Sequence, residues 1–301
     1  MNSINNVNGF SIASSTETYT IQDAKLTEVQ DNMVRKIVQE LNEHDNLYYE
    51  ICNEPYFGEV TLEWQKHIAT TIVETEKALP KKHLIAQNIA NGNQVIEHPD
   101  PQVSLFNYHY AYPPDAVAQN YHLGKAIGYD ETGFSGDGDD KYRGDAWAFI
   151  LAGGSEYNNL DYFFTIEYEN GIASQNAPGG GSPALRAQLK ILQDFMHTFD
   201  FITMKPAPSL ITQIQGEEEI KAWILAKEGK EYALFLRHGH QATVHLTIPQ
   251  GIYQTEWVNT VTGHIERSAR INHSGNTMML ESPSYIEGIA LRIKRVEQIG
   301  N

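Results

Sequence analysis

An α/β fold with a parallel sheet, followed by a small antiparallel β-sandwich, is what this 301-residue chain predicts, and three observations lead there. Apolar runs of helical and of strand-like period alternate as far as Lys205. After Lys205-Pro206-Ala207-Pro208 the period becomes short and alternating, which divides the chain into expected domains at 1–205 and 209–297. Continuous apolar strands between amphipathic helices, finally, are the pattern of a parallel sheet covered on both faces.

The elements follow in order. Leu26, Val29, Met33, Val34, Ile37, Val38 and Leu41 recur at helical spacing. A tight connection then feeds the apolar run 48–52, which ends in Asn53-Glu54-Pro55. Residues 62–79 predict a helix, 83–87 a strand ending at Asn88, and 103–109 a strand that runs into Tyr110 and Pro113-Pro114. Proline suits the first turn of a helix, predicted over 115–123. The run from Ala126 closes on the acidic pair Asp130-Glu131 and Gly133; a helix follows over 142–151, ended by Gly153-Gly154. Residues 157–162 predict a further strand, and Ser182-Pro183 opens a helix over 184–199, with Ser182 as N-cap. Strands are then expected at 220–226, 232–237, 242–248, 253–258, 278–280 and 288–293.

A carboxylate at the C-terminal end of a buried strand lies where parallel α/β enzymes carry out their chemistry, which singles out Glu54. The bland alternative is a surface carboxylate capping the next helix. Pro55 biases Glu54 toward extended backbone, Asn53 offers an amide to a substrate hydroxyl, and shielding by Tyr and Phe neighbours would raise the Glu54 pKa toward that of a general acid. Glu131 repeats the strand-end placement, with room for three βα units between the two.

The segment 48–55 resembles the strand-four motif of the clan A glycoside hydrolases, the (β/α)8 barrels that include the family 5 cellulases. That resemblance implies an incomplete TIM barrel, its C-terminal five or so βα units, hydrolysing O-glycosidic bonds of a poly- or oligosaccharide by double displacement. It carries the acid/base role onto Glu54, the nucleophile role onto Glu131 and a sugar-contacting role onto Asn53. His109 and Tyr110 would end strand six. Adjacent strand residues point to opposite faces, so one of them, with a lean to His109, is expected beside the nucleophile. Asn88 and Tyr157 complete the expected substrate-binding set, Tyr157 on the eighth strand, although packing explains that tyrosine equally well. The run 251–263 is similar to the β-domain labelled collagen-binding behind some of these barrels.

The resemblance also leaves strands one to three without counterparts, which points to a missing N-terminal barrel segment as a partner. Two readings therefore stay open: a retaining glycoside hydrolase, or a truncated, non-catalytic remnant serving as a carbohydrate-binding or structural module.

Composition narrows the partners. A net charge of -16 and a pI near 5.1 argue against nucleic acid and anionic membrane. Cys52 is the single cysteine, so an internal disulfide is impossible, and it reads as a small buried hydrophobe. The acidic loop 135–140 breaks the EF-hand pattern at Lys141, and His238 with His240 is too sparse for zinc, so neither metal nor cofactor is expected. Gly179-Gly180-Gly181 lacks the lysine and spacing of a P-loop. Residues 1–20 carry neither a basic n-region nor an apolar h-region, so no signal peptide is read; the expected location is cytoplasmic as the chain stands, and secreted if an N-terminal part precedes it.

Overall fold

The computed structural model describes residues 3–9, 11–12, 16–173, 179–217 and 219–296. They form two compact units, one of Met1–His109 with Gln119–Gly128, the other of Tyr110–Ala118 with Tyr129–Asn301. No described helix is long and apolar enough to cross a membrane.

In the first unit, α1 (Ala24–Leu41) starts at Asp23, whose carboxylate accepts from the Lys25 and Leu26 amides. It leads to β1 (Tyr49–Glu50), then α2 (Leu62–Glu76), capped by Thr61, then β2 (Ile85–Asn91) and β3 (Leu105–His109). β1 pairs with β2 in parallel, Tyr49 beside Ile85, and β2 with β3, Ala86 beside Leu105. β1 is shorter than the five-residue apolar run, because the chain turns off the sheet toward Asn53. Between β2 and β3 the chain forms no helix. Asn120, the last residue of α3 (Asp115–Asn120), organises that connection instead: its amide donates to the Gln94 carbonyl (2.9 Å) and the Tyr108 hydroxyl (3.0 Å), and it accepts from Ile96 N (2.8 Å).

β4 (Ala126–Glu131) lies next in the sheet, followed by β5 (Glu156–Tyr157), so the five strands run in the order β1-β2-β3-β4-β5. Sequential neighbours in a parallel sheet, with helices in every connection but that between β2 and β3, make five of the eight strands of a (β/α)8 fold. The N-terminal part is therefore an incomplete TIM barrel. β5 stops short of the predicted 157–162, and within that range Leu160 takes left-handed backbone (φ 54°), outside the β region.

In the second unit α4 (Asp139–Leu151) and α5 (Pro183–His197) precede nine strands. Ser182 caps α5 by accepting from Leu185 N at 2.9 Å, with Pro183 at the first helical position. The strands are β6 (Lys205–Pro206), β7 (Ile211–Gly216), β8 (Lys221–Lys227), β9 (Glu231–Arg237), β10 (Ala242–Thr247), β11 (Gly251–Asn259), β12 (Ile265–His273), β13 (Thr277–Glu281) and β14 (Gly288–Arg295). One sheet has the order β13-β10-β7, the other β12-β11-β14-β9-β8-β6.

The central strands of the six-stranded sheet are buried on both faces. Leu234, Leu236, Trp257 and Leu291 pack toward Val244, Leu246 and Met278 of the smaller sheet. Their alternates Leu225, Ala233, Phe235, Val258 and Ala290 pack with Trp147 and Leu151 of α4 and Leu192, Phe195 and Met196 of α5. This is why β9 reads Tyr-Ala-Leu-Phe-Leu without a polar interruption: period-2 alternation shows only when one face meets water. Trp257 is a core residue here, 2% exposed.

Candidate active site

Glu54 ends the turn after β1 with φ 45° and ψ 52°. The expectation was extended backbone, since proline disfavours helical conformations in the residue before it. The left-handed geometry instead lets Pro55 begin a short 3-10 turn, Pro55–Phe57, that folds Tyr56 back toward the carboxylate. The Tyr56 hydroxyl donates to Asn91 Oδ1 at 2.6 Å and lies 3.5 Å from Glu54 Oε1. A non-glycine residue held there costs about 1–3 kcal/mol, and the surrounding fold has to supply it.

His109, at the end of β3, places Nδ1 3.2 Å from Glu54 Oε1. Its side chain is buried whereas that of Glu54 is 27% exposed, so the carboxylate meets solvent on one side and an imidazole on the other. The next residue leaves the strand: Tyr110 has φ 52°, and its hydroxyl donates to Glu131 Oε1 in a short hydrogen bond. Its backbone N–H also donates to the Glu131 carbonyl at 2.9 Å. Strand alternation, which would have left only one of the pair available, ends at this left-handed residue. Both His109 and Tyr110 engage a candidate carboxylate.

The other expected residues are placed variously. Asn53 is exposed. Asn88 lies in β2 beside Asn107 of β3, 1% exposed, and neither atom of its amide has a hydrogen-bond partner. Asn107 donates to Glu50 Oε2 of β1 at 2.7 Å, so these strands carry polar side chains. The Tyr157 hydroxyl donates to the Tyr142 carbonyl (2.8 Å) and lies 3.2 Å from Thr132 Oγ1; burial pushes its phenol well above the ordinary range. It is committed to protein partners.

Sequence reading missed Tyr56 and Phe134. Both lie in loops after a strand-end glutamate, where no periodicity marks which ring turns back. Phe134 stands between the rings of Tyr110 and Tyr162, with centroid distances of 6.0 and 6.1 Å. Burial, and then the Glu131 charge, raise the Tyr162 phenol above its usual value.

No protein-family model and no curated protein matches the sequence. Solved structures do match the fold. A glycoside hydrolase is 16% identical with a TM-score of 0.63, over 88% of this chain and 68% of its own. A family 5 glycoside hydrolase from Bacteroides vulgatus is 13% identical, TM-score 0.63, over 88% and 66%. The α-amylase of Geobacillus thermoleovorans is 10% identical, TM-score 0.56, over 95% and 70%. The chain thus spans about two thirds of the length of the first two, and what it shares with all three is the fold.

Proposed function

We propose that this chain is a retaining glycoside hydrolase, or its catalytic portion, with Glu131 as nucleophile and Glu54 as acid/base. The observation that carries this reading is that two consecutive residues, His109 and Tyr110, each hold one strand-end glutamate. A solved family 5 glycoside hydrolase of the same fold supports it.

In the first step a Glu131 carboxylate oxygen attacks the anomeric carbon while Glu54 gives its proton to the departing glycosidic oxygen; in the second Glu54 takes a proton from water, which displaces Glu131 and restores both groups. The Tyr110 hydroxyl donates to Glu131 Oε1 and helps keep that carboxylate ionised and in place for attack. His109 orients Glu54 from the buried side, and Tyr56 does so from the other. The unpartnered Asn88 amide is a buried polar group whose cost a sugar hydroxyl would relieve. Asn53 offers a second amide. A carbohydrate is the substrate, and a barrel segment supplying three further βα units would be the natural partner for the five strands among the described residues.

The test is Glu131→Ala on an aryl glycoside. Turnover should vanish and return with azide, which fits the space of the lost carboxylate and yields a glycosyl azide of inverted configuration; equal rates for variant and parent would rule the assignment out.

A further inference from the structure

Resting on that reading, we infer that Phe134 is a stacking platform for one pyranose ring of the substrate beside Glu131. The ring is 62% exposed although large apolar side chains gain by burial. Its backbone is left-handed, φ 61°, a conformation that disfavours a side chain with a Cβ. Gly133 just before it is tightly packed: a Cβ there would lie 3.1 Å from Leu160 Cδ2 and 3.4 Å from the Tyr162 ring. The turn therefore fixes where Phe134 stands.

Its neighbours tie it to the reacting end. Tyr110, which donates to Glu131, flanks the ring on one side and Tyr162 on the other. A costly backbone that holds a rigid aromatic face in water next to a candidate nucleophile suits a ligand with an apolar face. Aromatic faces pack against C–H groups, and a pyranose with all hydroxyls equatorial shows only axial C–H on both faces, as glucose does. A single axial hydroxyl blocks one face and leaves the other free to stack.

The experiment measures binding of cellohexaose to a Glu131→Gln chain that cannot turn it over. Cellohexaose is expected to bind, Phe134→Ala to weaken it about tenfold, and Phe134→Trp to retain it. Phe134→Gly, which relieves the left-handed backbone, should melt no lower than the Glu131→Gln parent and yet bind as weakly as Phe134→Ala. Unchanged affinity in Phe134→Ala or Phe134→Gly, or no binding at all, overturns the inference. Turnover of an aryl β-glucoside by the unsubstituted chain is scored separately. Ring-dependent binding without turnover sinks the proposed reaction and leaves the platform standing.

Discussion

Arg237 of β9 and Asp145 of α4 form a buried ion pair, Nη1 to Oδ1 at 2.7 Å, with both side chains almost fully withdrawn from water. Lys141 reaches the other Asp145 oxygen, and the guanidinium lies over the Tyr112 ring at 4.5 Å. The backbone of Gly144 leaves just enough room, since a Cβ there would approach the guanidinium carbon to 2.6 Å.

Removing one member of such a pair strands the other. Arg237→Met should therefore destabilise the protein by about 3 kcal/mol, and Arg237→Met with Asp145→Leu should recover most of that loss. Chemical denaturation of the two variants measures it. Equal stabilities for single and double variants would mean that Lys141 alone neutralises Asp145.

Tyr110→Phe deletes one hydroxyl and keeps the ring. If that hydroxyl holds the nucleophile, kcat on an aryl glycoside should fall roughly a hundredfold, the scale of losing one charge-stabilising donor. An unchanged kcat would reduce Tyr110 to a packing residue.

Glu54→Gln removes the transferable proton while the strand-end turn is kept. Substrates with poor leaving groups should lose far more rate than a dinitrophenyl glycoside, whose departure needs no protonation. A uniform loss across leaving groups would contradict the acid/base role.

His83 and Glu76 give a pH-dependent contact. Their side chains are each 3% exposed and 2.6 Å apart, and His83 Nε2 also meets the His44 carbonyl at 2.6 Å. Burial disfavours the imidazolium, but Glu76 and the His44 carbonyl more than offset that, so His83 titrates above its ordinary 6.5. A group whose pKa rises on folding stabilises the protein fully below the unfolded pKa, about 6.5, and ceases to do so as pH climbs through the folded value. Unfolding free energy should thus decline from pH 6 upward, and His83→Gln should flatten that decline. A parallel decline in the variant would exclude the pair as its source.

Much of this was legible in the sequence. α1 follows from its periodicity and α5 from its Ser182 cap and periodicity, and the candidates Glu54 and Glu131 are singled out by their strand ends. What escaped did so for identifiable reasons. β12 was missed because it is an edge strand with a wet face: Glu266, Arg267, Ser268 and Arg270 give it no apolar alternation, and only its register against β11 makes it a strand. β7 is similarly polar, with Thr212, Gln213 and Gln215. At the site, sequence rules failed where the backbone is left-handed, at Glu54, Tyr110 and Phe134. Local preferences disfavour those conformations, so only the surrounding fold can impose them.

The double burial of the central strands of the six-stranded sheet bears on how the protein can be dissected. A fragment begun at Ser209 would keep every strand from β7 onward yet present Leu225, Phe235 and Val258 to solvent, since the helices that cover them come earlier in the chain. Such a fragment would be prone to self-association at that face, and a soluble C-terminal piece has to carry α4 and α5 with it.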